Sequence, residues 1–249
     1  MGPRLDEAHG VLLRALALAE KQSPDDVKVG GALVNLGSLA LKRDSFAEAK
    51  DLERGRTVLL KAVGPTSNYV AIAEVGLGNT YHELGDYKQA MAHFEVVMAI
   101  REKNLGVDHP ELITPLWAIG RAQRALGAYA QAEVSLRRAI AIADRKLGPS
   151  NARVPPVLLE LGELLLDRGR ALEALAVLER SLALTRRSEG DAVELGKRRF
   201  ALARALWDAR GDRQRARQLA LQAREGFVAG GASRERLQAV ERWLASRPR

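Results

Sequence analysis

The chain has 249 residues, a net charge of +8, four histidines and no cysteine. The missing cysteine excludes disulfides, thiolate metal sites and cysteine nucleophiles, and no apolar run approaches the roughly 18 residues of a membrane span. Met1-Gly2-Pro3-Arg4 lacks the apolar core of a signal peptide, so the chain reads as soluble and cytoplasmic. Aromatics make up only 4% of it, and no strand-like run of β-branched residues occurs, which predicts an all-α fold. Arg outnumbers Lys by 30 to 9, the codon bias expected of a GC-rich bacterium.

Leu5 to Gln22 has helical periodicity through Leu5, Ala8, Leu12, Ala15, Leu16 and Ala19. It is expected to be the second helix of a truncated repeat (5–22), which points to a fragment of a longer protein. Repeat one (27–64) predicts helices near Val27–Lys42 and Phe46–Lys61, the second with an irregular Gly55 and no large residue in the place Phe94 takes later. Repeats two (69–106), three (111–148) and four (152–190) are each a helix, a glycine turn, a longer helix and a loop. Repeat five (192–228) is degenerate: Arg204 replaces the first-helix glycine and Ala220 the large residue. A last helix over 232–246, with Leu237, Val240, Trp243 and Leu244 at helical spacing, is the expected terminal cap.

The repeats are in phase at 42 residues. Gly78, Gly120 and Gly162 coincide, as do Gly85, Gly127, Gly169 and Gly211, then Ala90, Ala132, Ala174 and Ala216, and Gly106, Gly148 and Gly190. A fixed period with small residues at one phase is the mark of a stacked array, a single one over 1–249. Within a repeat, Gly78 and Ala90 are expected to mark the close approach of the two helices, and Leu77, Tyr81, Leu84 and Phe94 to supply the apolar mass. Gly85 and its equivalents sit just past the first helix, where a left-handed residue ends it cheaply.

The order Leu-Gly-x-x-Tyr, Leu-Gly-x-Tyr, Ala-x-x-x-Phe resembles the tetratricopeptide repeat (TPR). The long period and the closing LGVDHPEL resemble its kinesin-light-chain type. The resemblance implies a right-handed superhelix, an α-solenoid of about twelve antiparallel helices with a C-terminal capping helix. The closing VERWLASR also resembles the end of bacterial proteins with an N-terminal Ser/Thr kinase domain and C-terminal TPRs, which implies a signalling context.

No enzymatic constellation stands out. Gly76-Leu77-Gly78 begins like a dinucleotide fingerprint, but the third glycine is missing and no strand precedes it. Gly190 and Gly196-Lys197 are spaced by five residues where a P-loop needs four, and Arg198 stands where Ser or Thr must bind magnesium. His9, His82, His93 and His109 have no metal-ligand spacing, and His109 suits a turn or capping role. No kinase catalytic loop occurs, so the chain reads as non-catalytic, without metal or cofactor.

The TPR resemblance implies a concave groove lined by first helices. By phase its positions are Asn35, Ser38 and Leu41, then Val75, Asn79 and His82, then Trp117, Arg121 and Arg124, then Glu160, Glu163 and Leu166. Asn79, Arg121 and Arg124 suit an acidic or C-terminal carboxylate of an extended peptide, with Trp117 as an aromatic anchor. Glu160 and Glu163 would select basic or polar side chains further along the ligand. The alternative is that both arginines are solvated and Trp117 packs on the next helix.

Charge supplies a second reading. Lys197–Arg249 carries 14 Lys and Arg against 5 Asp and Glu. Lys197, Arg198, Arg199, Arg204, Arg210, Arg213, Arg215, Arg217 and Arg224 fall on two neighbouring helices, as phosphate binding would use. Yet Arg213, Arg215 and Arg217 point around different sides, and no Phe or Tyr is interleaved to stack bases. A third reading is a homodimer through the open N-terminal face.

Overall fold

A computed structural model describes residues 2–42, 50–148, 150–185 and 192–247, with the side chains of 2–4 and 41–42 left out. Among the described residues there are twelve α-helices, one 3-10 turn and no strand. They form two compact units, Met1–Gly127 and Ala128–Arg249. The first holds α1 (Gly2–Gln22), α2 (Val27–Lys42), α3 (Lys50–Val63), α4 (Asn68–Glu83), α5 (Tyr87–Leu105), the 3-10 turn Pro110–Leu112 and α6 (Ile113–Ala125). The second holds α7 (Tyr129–Lys146), α8 (Val154–Asp167), α9 (Ala171–Leu184), α10 (Ala192–Asp208), α11 (Arg213–Ala229) and α12 (Arg234–Ala245). The expected helix start at Phe46, the in-phase Gly190 and the Leu41 side chain lie outside the described residues.

In each unit every helix packs on its chain neighbours, and first helices of successive pairs also touch, α2 on α4 and α8 on α10. Contact limited to near neighbours is the mark of a solenoid. The expected glycine seat is real. A methyl on Gly78 would come within 2.8 Å of the Phe94 ring, and Phe94 is 1% exposed. Gly162 receives Leu178 in the same way, and Gly37 receives Leu52. Repeat one therefore does carry a large residue, contrary to expectation: Leu52, fully buried, stands in the phase of Phe94. Its irregular Gly55 is also explained, since a methyl there would meet the Gly30 carbonyl at 3.0 Å.

Two further expectations are corrected. Leu84 caps α4 and is 58% exposed, so it adds nothing to the core. In the last pair the close approach has moved along the helices, where Gly196 receives the Phe227 ring and Gly226 faces the Ala192 carbonyl. Arg204 and Ala220 thus mark a displaced contact rather than a lost one.

The turns between first and second helices use a left-handed residue. Gly85, Gly127 and Gly169 have φ of 78°, 76° and 70°. After Gly85 the Asp86 amide donates to the Tyr81 carbonyl at 2.9 Å, and Asp86 then caps α5 through Gln89. In the last pair the turn starts one residue early. Arg210, with φ 57°, takes the left-handed place and Gly211 does not. The Gly211 amide completes the motif on the Leu206 carbonyl at 2.8 Å.

Polar links join second helices of successive pairs: Glu20 with Arg54, Asp144 with Arg180, and Glu179 with Arg215. Such partly exposed pairs each add about 0–1 kcal/mol. A different kind of link is buried in the first unit. Glu74 of α4, 1% exposed, accepts from Arg56 of α3 and lies 2.6 Å from His93 Nδ1 of α5. Burial alone would raise its pKa, but hydrogen bonds from His93 and Arg56 hold it below the ordinary 4.5. α12 packs on α11 as the cap, with Trp243 edge-on to Phe200 and Trp207 of α10.

Left-handed backbone costs a non-glycine residue roughly 1–2 kcal/mol. Gly85→Val should therefore destabilise by about 2 kcal/mol, whereas Arg210→Gly should stabilise by about 0.5–1 kcal/mol. Paired denaturant melts of the two variants check both signs.

Candidate functional site

The first unit brings together three of the side chains singled out in the sequence. The 3-10 turn Pro110–Leu112 leads into α6, with His109 Nδ1 accepting from the Glu111 amide at 3.2 Å. One turn further on, Trp117 and Arg121 stand at i and i+4 on one face of α6. The Arg121 guanidinium lies 4.8 Å from the Trp117 ring centroid. Its other end reaches α4, where Nη2 donates to His82 Nδ1 at 3.4 Å. Tyr87, at the start of α5, meets His82 edge-on at 5.2 Å. Trp117 Nε1 is buried without a hydrogen-bond partner. The indole is half-buried, with Arg121 over its ring.

The electrostatics follow from this packing. Burial pushes the His82 pKa below the ordinary 6.5, and the Arg121 charge pushes it further the same way. Glu83, 3.7 Å away, opposes both. A neutral His82 accepting at Nδ1 carries its proton on Nε2. The cluster offers a cation, a neutral imidazole and an aromatic ring, a set suited to a carboxylate beside an apolar group.

The other positions of the expected groove are more scattered. Asn79 is exposed one turn before His82 on α4, and Arg124 is half-buried one turn after Arg121 on α6. Asn35 and Ser38 of α2 line a cleft of about 570 Å³ against α1, apart from the His82 cluster. Glu160 and Glu163 are half-buried on α8 of the second unit. Arg121, Arg124, Glu160 and Glu163 all interact within the folded chain, so none is a bare surface charge. Leu166, expected to face the groove, is 9% exposed and belongs to the core.

The basic end looks different folded. Arg198 is 5% exposed and donates to the Glu194 carbonyl at 2.9 Å; Lys197 pairs with Glu194. Arg213 lies over Trp207, Arg215 pairs with Glu179, and Arg217 donates to the carbonyls of Leu244 and Arg247. Of the charges that suggested phosphate binding, Lys197 and Arg198 are engaged within α10, while Arg213 ties α11 to α10, Arg215 ties it to α9 and Arg217 ties it to α12 and the residues just after it. Among the described residues no cluster of His, Asp and Glu suits a metal ion, and no helix is long and apolar enough to cross a membrane.

The sequence profile of the tetratricopeptide repeat matches residues 59–145 and 154–227, more than half of the chain. No curated protein matches. Among solved structures, BtubC (BKLC) from P. vanneervenii is similar with a TM-score of 0.75 at 19% identity, over 92% of this chain and 93% of that one. A putative kinesin light chain from Podosopora anserina, with nearly identical TPR-like repeats, has a TM-score of 0.63 at 24% identity, over 81% and 96%. YrrB, described as a TPR protein with an unusual peptide-binding site, has a TM-score of 0.54 at 15% identity, over 92% and 98%.

His82 should titrate with a midpoint below its ordinary 6.5, and Arg121→Ala should move that midpoint upward. NMR of the imidazole protons reads both. Any stability that depends on neutral His82 is complete above about pH 6.5 and fades as the pH falls toward the lowered midpoint.

Proposed function

The chain belongs to the tetratricopeptide repeat family, whose arrays mediate protein–protein interaction, and from that premise we propose that it is a scaffold binding an extended peptide. Proteins of this family are generally non-catalytic, and the reading includes no reaction. The ligand lies along the exposed faces of first helices. In the first unit Asn79 holds its backbone, Arg121 and Arg124 take an acidic side chain or a terminal carboxylate, and Trp117 with His82 receives the neighbouring apolar group. In the second unit, taken by itself, Glu160 and Glu163 of α8 suit a separate contact with basic or polar side chains. The placement of the array in a larger bacterial signalling protein with a Ser/Thr kinase domain rests on the resemblance of the closing helix alone.

The observation that carries the proposal is the Trp117–Arg121–His82 cluster, in which α6 and α4 converge on one polar and aromatic spot. A protein of similar fold, YrrB, described as having a peptide-binding site, supports the class of ligand. The contacts made by Arg198, Arg213, Arg215 and Arg217 weigh against polyanion binding as the main role.

Charge-assisted hydrogen bonds contribute about 1.5–3 kcal/mol each. Arg121→Ala with Arg124→Ala should therefore weaken a labelled acidic peptide with a free C-terminus by at least about tenfold in anisotropy titrations. The melting temperature should move by no more than about 3 °C, because an exposed cation–π contact contributes only about 0.5–1 kcal/mol. A large fall in stability with unchanged affinity would assign the arginines to the fold instead.

A further inference from the structure

His82 Nδ1 stands between two groups that ask opposite things of it. From α6, Arg121 directs Nη2 at it from 3.4 Å. A guanidinium only donates, so in that contact Nδ1 offers its lone pair and carries no proton. From α4 itself, Glu83 brings Oε1 to 3.7 Å of the same nitrogen. An ionised carboxylate only accepts, so that contact becomes attractive when Nδ1 holds a proton. From α5, Tyr87 faces the ring edge-on.

In the chain alone the first demand prevails. Burial disfavours the imidazolium, Arg121 adds to that, and Glu83 pulls the other way. The Glu83 side chain is 61% exposed against 17% for His82, so water screens much of its pull. Arg121 is held over the Trp117 ring, 4.8 Å from its centroid, with its charge beside the imidazole. The state of the ring therefore depends on how much of the Arg121 charge it feels.

An acidic ligand alters that quantity directly. A carboxylate seated on Arg121 draws the guanidinium donors to itself and offsets their charge. The Nδ1 lone pair would then meet an acceptor, which repels it. A proton on Nδ1 turns the same meeting into a charge-assisted hydrogen bond.

We propose that this site takes up a carboxylate together with one proton, drawn from solvent onto His82 Nδ1. The inference rests on the peptide-binding function proposed for the cluster and adds what selects the ligand there. Beyond offering its ring to an apolar group, His82 gives an ionised carboxylate a second charged donor, which a neutral amide of the same shape cannot use. Binding strengthens as the pH falls from the midpoint of His82 in the complex to its lower midpoint in the free chain.

Isothermal titration calorimetry of the whole chain with an acidic peptide bearing a free C-terminus tests this. Run at about pH 7 in phosphate and in Tris, it counts the protons taken up, since His titrates near there. Uptake of part of one proton is expected. Affinity should be at least about threefold higher at about pH 5.5 than at about pH 8, a range in which the peptide carboxylates stay ionised. Both effects should vanish in His82→Gln, which cannot take the proton. In the wild type, the NMR midpoint of His82 should rise when peptide saturates the site, a reading that needs no variant. A C-terminally amidated peptide separates the two sources of carboxylate: uptake that survives assigns the side chain, and uptake that vanishes assigns the terminus. Binding without proton uptake, or a pH dependence that persists in His82→Gln, would overturn the proposal and leave the peptide-binding function standing. Absence of binding at every pH would overturn both.

Discussion

In the pairs α2–α3, α4–α5, α8–α9 and α10–α11, one large side chain of the second helix enters the space where the first helix has no side chain. Glycine inside a helix costs about 0.5–1 kcal/mol against alanine. Burying a phenylalanine or leucine returns about 1.5–3 kcal/mol. The exchange is favourable only if the two meet, as Phe94 meets Gly78 and Leu178 meets Gly162. Because the large residue is already 0–1% exposed, neither partner can grow without moving a helix. Everything else in a unit is placed from these contacts.

With the pair locked, the remaining faces of each helix acquire separate duties. The buried faces of α4 and α5 join their neighbours, and Glu74 enters that interior only because Arg56 and His93 reach it from either side. The outward positions of α4 and α6 are left for Asn79, His82, Trp117, Arg121 and Arg124. At the basic end several arginines serve this architecture too, Arg213 and Arg247 stacking on tryptophans and Arg217 donating to carbonyls.

The helices and their pairing are legible in the sequence because small residues return at a fixed phase, which only a repeated packing contact requires. Leu52 is harder to read, since the large place in its phase invites an aromatic while a leucine fills it equally well. Arg210 is hidden because the last turn begins one residue early; Gly211 keeps the phase in sequence but not in backbone conformation. At the candidate site the Trp117–Arg121 contact follows from i, i+4 spacing on one helix. The Arg121–His82 contact joins two helices and depends on how they pack, and no local pattern announces it. Glu74 likewise looks like an ordinary surface carboxylate until its partners on α3 and α5 are seen.

The most direct test of this account is a double-mutant cycle at Gly78 and Phe94, read by chemical denaturation. If the ring fills the space above the glycine, Gly78→Ala is strongly destabilising in the native chain but costs little once Phe94→Ala has emptied the site. The coupling should then exceed about 1 kcal/mol, since contacting residues are not additive. Additivity to within about 0.5 kcal/mol would mean that the two side chains do not share one space. The helix pairs would then have to be held together by something other than this contact.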